Sequence, residues 1–255
     1  MQLKGKTVFI TGGTGGIGVP LVNLMERQGA VVTAYNRQKS GAIEDNLEAI
    51  CLGLRKSPPD ILLNLAGTNQ FSYAEDQDYQ KLVSVNLIVP MQLSQAVLPA
   101  MIERRSGHII TVGSMSALIP LPHVSGYVAA KAGLKAFTDS LRRELEGTGI
   151  DITHVVPRAV KTQMNAGAAN KVNLQTGIHS DDPSQIASVI LNAILKRQRE
   201  VRVGWPERVY AFLNAIFPSL IDVGLGKTRK AGEAILQNPQ AVLGKPCSTF
   251  TEKRL

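Results

Sequence analysis

The 255-residue chain has only two cysteines, Cys51 and Cys247, far apart and without a CxxC spacing. That excludes a disulfide framework and points to a reduced, intracellular protein, so the expected location is cytoplasmic. No stretch reaches the roughly 18 apolar residues of a membrane span. The opening Met1-Gln-Leu-Lys-Gly-Lys6 is too polar for a signal peptide. No internal repeat, low-complexity linker or long Lys/Arg block is present. The net charge of +8 raises the question of a nucleic-acid or membrane partner. Because the basic residues are scattered, the reading is a soluble surface that attracts a phosphorylated small molecule, with no nucleic-acid partner. Nothing in the spacing of His, Cys, Asp and Glu predicts a metal site.

What is there fits one α/β domain. Hydrophobic residues make up 44% and charged residues 19%, an ordinary globular balance. A chain of this length buries roughly 70–75% of its unfolded surface and needs no staples. Strand-like and helix-like segments alternate, which predicts a doubly wound parallel sheet in a three-layer αβα arrangement. Strands are expected at 6–11, 30–35, 60–65, 108–113, 151–156 and 200–204. Helices are expected from the Gly-rich turn to about Gln28, over 125–146, and over 183–199 behind two aspartates and a proline.

The first strand runs into Thr11-Gly-Gly-Thr-Gly-Gly-Ile-Gly18. Glycines there permit a sharp turn and a close backbone approach to a pyrophosphate, and the following helix adds its positive end. This predicts nucleotide binding by Gly12, Thr14, Gly16, Ile17 and Gly18.

The spacing is TGxxxGxG rather than GxGxxG, and it resembles the short-chain dehydrogenase/reductase family, in its smaller non-extended branch. The resemblance continues through Asn64-Leu-Ala66-Gly67, similar to that family's NNAG with Leu65 replacing the second Asn. It includes Asn86 in the middle helix and Ser114 thirteen residues before Tyr127. Tyr127-Val-Ala-Ala-Lys131 matches YxxxK, and Pro157 and Thr162, with Val160 between them, match the segment after the sixth family strand. The match spans about residues 5–205. It implies a Rossmann-like fold, a nicotinamide cofactor, a small-molecule carbonyl or alcohol substrate, and a homodimer or homotetramer built through two long central helices, here about 76–104 and 125–147.

These residues suit hydride chemistry. Reducing a ketone leaves an alkoxide unless a proton arrives. A phenol of unperturbed pKa about 10 is too weak an acid for easy exchange near neutrality. Lys131 lies one helical turn from Tyr127, and its ammonium is expected to lower that pKa. The resemblance implies that Lys131 also binds the nicotinamide ribose, that Ser114 hydrogen-bonds the substrate oxygen, and that Asn86 holds a water leading from Lys131 to solvent. Ser116 is a competing serine with the wrong spacing. His123 reads as a loop bystander and His154 as packing or surface.

The end of strand two reads Ala34-Tyr-Asn36-Arg37. Asn36 stands where an NAD(H) enzyme usually places an acid, and Arg37 can pair with a 2′-phosphate. NADP(H) is expected in preference to NAD(H), although Gly15 stands where many NADP enzymes of the family carry a second basic residue.

Several segments depart from the family. Only 22 residues separate Arg37 from Asp60, which implies that the helix after strand two is shortened, with Asp45 a candidate adenine contact. Arg158 replaces the usual Gly after Pro157 and either meets an anionic substrate group or points to solvent. Residues 163–181 are small and polar without a period, as in a mobile lid. The expected division is 1–205 as the cofactor-binding and catalytic domain and 206–255 as a helical tail. The tail either packs on the domain, covers the pocket, makes a dimer contact or touches a membrane. Such tails resemble those of family members acting on lipophilic substrates. The expected reaction is therefore hydride transfer to an apolar or acyl-type carbonyl such as a 3-oxoacyl thioester. The alternatives are a steroid- or retinoid-type dehydrogenase, or a catalytically silent nucleotide sensor.

Overall fold

The computed structural model describes residues 2–238. Six strands form one parallel sheet: β1 (Thr7–Thr11), β2 (Val31–Ala34), β3 (Ile61–Asn64), β4 (Gly107–Val112), β5 (Ile150–Val156) and β6 (Glu200–Arg202), in the order β2-β1-β3-β4-β5-β6. All six strands expected from the sequence are present. Every residue of β3 is buried, and all but one of β5, because helices cover both faces.

Alternate strand residues feed two cores. Val8, Ile10, Ile61, Leu63, Ile110, Val112 and Val155 pack on one face, against α1 (Gly18–Arg27) and α8 (Pro183–Leu195). Phe9, Leu62, Ile109, Ile150 and Ile152 pack on the other, against α3 (Leu47–Lys56), α5 (Val89–Glu103) and α6 (Ser125–Glu144). Gly29, at φ +82°, closes α1 in the left-handed conformation a Cβ resists. Asp182 caps α8 by accepting from the Ser184 N–H.

The 37–60 segment is shorter than expected in two ways. After β2 there is one helical turn, α2 (Arg37–Ser40), and no strand lies between it and α3. β2 is therefore a sheet edge.

The middle helix begins as α4 (Tyr79–Val83), widens to a π-helical turn at Ser84–Ile88, and resumes as α5. By length and apolar composition alone, Tyr79–Glu103 is sufficient to cross a membrane, but half of it is buried in the protein. Its apolar side chains serve the core, where Val89, Leu93, Val97 and Met101 pack.

Residues 163–181 hold a helix, α7 (Ala168–Thr176), where the sequence showed no period. The reason is tertiary: α7 packs along α10 (Pro218–Gln237), and only Val172 of α7 is buried. The tail comprises α9 (Trp205–Ile216) and α10. Residues 239–255 of the expected tail, with Cys247, lie outside the described residues.

Candidate active site

β1 connects to β2 on one side and β3 lies on the other, which opens a crevice at the carboxyl ends of the strands. Thr11 at the end of β1 ties the two sides together, its hydroxyl accepting from the N–H groups of Leu65 (3.2 Å) and Ala66 (3.1 Å). The next residue must be glycine on two counts. Its φ is +73°, and a Cβ there would sit 2.8 Å from the Ala66 nitrogen. At Gly18 a Cβ would fall 2.1 Å from the Gly12 carbonyl oxygen, so α1 could not start so close to the strand.

The turn fits a dinucleotide pyrophosphate. α1 has no side-chain cap and no acidic residue in its first turn, so its positive end is left for a ligand. Among the described residues, no backbone carbonyl accepts from the N–H groups of Thr14, Gly16 or Ile17. Thr162 packs on Gly16, where a Cβ would meet its methyl at 2.8 Å.

A cavity of about 1300 Å³ runs across these strand ends. At the β2 edge its wall is Tyr35, Arg37, Gln38, Ile43 and Glu44; next come Gly12, Thr14, Gly16, Ile17 and Gly18 of the turn. Ala66, Gly67, Pro157, Val160 and Thr162 follow, then Ser114, Tyr127 and Lys131. Its volume exceeds the roughly 300–1,000 Å³ of an ordinary ligand pocket, leaving room for a cofactor and a sizeable second molecule.

Three residues expected at this site do not line the cavity: Asn36, Asn64 and Asn86. Asn36 caps α2, its side-chain oxygen accepting from the N–H groups of Gln38 and Lys39. Asn64 is buried below the wall, and neither of its amide atoms has a partner among the described residues. Asn86 sits in the π-turn, a feature often found at functional sites. Its amide donates to the Thr68 and Leu82 carbonyls, both at 2.8 Å, and its oxygen accepts from the Thr68 N–H. The side chain thus clamps the loop after Gly67. Asp45 does not face the cavity; its neighbours Ile43 and Glu44 do.

Ser114 ends an extended stretch after β4. Its oxygen accepts from both the N–H (3.2 Å) and the hydroxyl (2.8 Å) of Ser116, which leaves its own proton for Tyr127. Ser116 is therefore the holder of Ser114 and not its rival. Burial pushes the Tyr127 phenol above its ordinary pKa, and a hydrogen bond with Ser114 opposes this. The expected lowering by Lys131 is not what the ligand-free geometry gives. The ammonium stands 5.8 Å from the ring centroid and donates to the Val112 carbonyl at 2.9 Å. It has no carboxylate partner among the described residues, and burial lowers its own pKa to about 8.

Arg158 lines the cavity, with its guanidinium engaged by two carboxylates of this chain. It makes a two-pronged pair with Asp181 (2.7 and 2.9 Å) and reaches Glu207 of α9 at 3.2 Å. Both carboxylates hold its pKa above the ordinary value. The arginine ties the end of the 163–181 segment to the tail.

The tail closes the far end of the cavity with Tyr210, Leu213, Ile221 and Leu225. His123 holds it down: Nε2 donates to the Arg229 carbonyl at 3.2 Å, and the ring packs against Phe71 and Tyr73. Asn214 adds a bond to the Leu118 carbonyl. His154 is packing, its Nδ1 bonded to the Thr111 hydroxyl at 2.7 Å. Sequence reasoning left the tail's place open among several alternatives and missed Ser116's service to Ser114. Only the second had a local signal, a Ser-x-Ser pair opening a short helical turn.

The model of a family described as short chain dehydrogenase matches residues 54–173. A ketoacyl reductase, HetN, of Nostoc sp. is 31% identical over 229 residues, covering 79% of each chain. The 3-oxoacyl-[acyl-carrier-protein] reductase FabG of Vibrio harveyi is 30% identical, covering 75% of this chain and 90% of its own. Among solved structures, a short chain dehydrogenase from Burkholderia cenocepacia in complex with NADP superposes with TM-score 0.74. It is 21% identical and covers 89% of this chain and 99% of its own.

Proposed function

This chain belongs to the short-chain dehydrogenase/reductase family, and on that premise we propose that it is an NADP(H)-dependent reductase of an apolar or acyl-type carbonyl, the first candidate being a 3-oxoacyl thioester. The observation that carries this is one continuous cavity with the glycine turn at its centre, Arg37 at one end and Ser114, Tyr127 and Lys131 at the other. When bound, the nicotinamide supplies the hydride. The chain's residues do the rest. Tyr127, kept protonated by burial, gives its proton to the carbonyl oxygen, while Ser114 hydrogen-bonds that oxygen. Lys131 is a cation below pH about 8, and it steadies negative charge on the phenol as the proton leaves.

Arg37 pairs with no carboxylate among the described residues, and that leaves it for a 2′-phosphate. The NADP bound by the Burkholderia cenocepacia protein of the same fold, and the ketoacyl substrates in the names of two relatives, support the same reading. Phe71, Met115, Leu121, Leu213 and Ile221 give the substrate end its apolar lining, which also suits a rigid polycyclic or isoprenoid alcohol. A homodimer or homotetramer through α5 and α6 completes the proposal, and light scattering reads it.

NADPH consumption with 3-oxoacyl thioesters of increasing chain length, beside steroid and retinoid ketones, tests the substrate. Turnover that rises with acyl length supports the proposal. Turnover confined to the polycyclic ketones moves the assignment to the second class. Tight NADPH binding with no turnover on any carbonyl refutes the enzyme.

A further inference from the structure

Eight of the sixteen exposed large apolar side chains among the described residues fall between Trp205 and Val223. They are not scattered there. Trp205, Val209, Phe212 and Ile216 follow the spacing i, i+4, i+7, i+11, which at 100° per residue places them within about 60° of one another on α9. The opposite side of α9 faces the protein: Ala211 is buried, Glu207 holds Arg158 and Asn214 holds the Leu118 carbonyl. Phe217, Leu220 and Val223 extend the exposed series onto α10, with Trp205 72% and Val223 80% exposed.

The unpaired charges around this surface are mostly positive. Glu207 is engaged by Arg158 and Glu233 by Arg229, which leaves Asp222 as the one carboxylate of α9 and α10 without an ion pair among the described residues. Arg208, Lys227 and Lys230 have no ion pair among the described residues, and Arg208 stacks over Trp205 at 5.6 Å. Lys227 and Lys230 follow Val223 on the outward side of α10. A second copy of this chain would bring the same cations against them, a repulsive match. An anionic lipid surface matches both the apolar series and its basic border. The same two helices place Tyr210, Leu213 and Leu220 at the cavity, so the surface is continuous with its apolar end.

We propose that α9 and α10 form a peripheral membrane-docking surface, with Trp205, Phe212, Phe217 and Val223 at the headgroup–acyl boundary and Arg208, Lys227 and Lys230 on lipid phosphates. The docking stands apart from the redox reading and does not depend on which carbonyl is reduced.

Trp205 is the chain's single tryptophan and reports directly on this surface. The full chain is mixed with phosphatidylcholine vesicles with and without phosphatidylglycerol, and with vesicles carrying brominated acyl chains. The expected result is co-sedimentation with the anionic vesicles, a blue-shifted Trp205 emission and quenching by bromine. Binding should fade as salt approaches about 1 M, where the screening length is about 3 Å. The double variant Phe212→Glu, Val223→Glu, at two exposed positions off the cavity, should keep its fold and its turnover of a soluble ketone while losing vesicle binding by about tenfold or more. An unshifted Trp205 on anionic vesicles overturns the proposal. So does a lipid-free shift that grows with protein concentration, which would make the occupant a second copy, and so does undiminished binding by the double variant.

Discussion

Replacing Lys131 by methionine should make the folded chain more stable while removing its chemistry. The ammonium is 4% exposed, donates to the Val112 carbonyl, and has no carboxylate partner among the described residues. Burial moves its pKa from 10.5 to about 8. At about 1.4 kcal/mol per tenfold, that displacement corresponds to about 3 kcal/mol of destabilisation wherever the group is charged in both states. Methionine matches the side chain's length but leaves the Val112 carbonyl short of a donor, at a cost of about 1 kcal/mol. The net expectation is a gain of about 2 kcal/mol at pH 7, or about 5 °C in melting temperature for a chain of this size. The sign with pH follows. Below pH 8 Lys131 is charged folded and unfolded, and the cost is fully present. Between about 8 and 10.5 the folded protein sheds the proton while the unfolded chain keeps it, so wild-type stability rises and the advantage of the variant shrinks. Urea unfolding of both proteins from pH 7 to 10.5 reads this. A variant that unfolds at lower urea than wild type at pH 7, or a gap that does not narrow above pH 8, refutes the reasoning.

Two further outcomes follow from the charges. Arg37→Glu should weaken NADPH binding by about tenfold to a hundredfold and leave NADH nearly unchanged, as fluorescence titration of the two nucleotides would show; equal losses would remove Arg37 from the 2′-phosphate. His108 and His154 are held at a pKa of about 4, chiefly by burial, so the unfolded chain takes up their protons below about 6.5 and the folded one does not until about 4. Stability should therefore fall across that window by up to about 3 kcal/mol per histidine, and a flat urea midpoint between pH 6.5 and 4.5 would contradict it.

Much of the fold was legible because its signals are local. Buried parallel strands are short, mostly apolar runs, and 61–64 and 108–112 are buried throughout. The glycine turn and the Tyr127–Lys131 spacing were legible for the same reason, since one is backbone geometry and the other one turn of helix. What was not legible depends mostly on partners distant in sequence. Asn36 is an exception, since its oxygen caps α2 through the N–H groups of Gln38 and Lys39, two and three residues on. Arg158 reads as facing either a substrate or solvent, and its ion pairs with Asp181, 23 residues on, and Glu207, 49 residues on, have no local signal. The helix over 168–176 has almost no apolar pattern of its own and exists against α10. Asn86 was placed on the correct helix, but its clamp on Thr68 follows from a widened turn that no periodicity announces.

The central claim is that the phenol of residue 127 delivers a proton inside the glycine-lined cavity. Tyr127→Phe removes one oxygen and leaves the ring in place. Measured on the same preparation, NADPH affinity should stay within about threefold of wild type, while ketone reduction falls by a factor of at least about 10². Reduction at the wild-type rate by the phenylalanine variant would contradict the account.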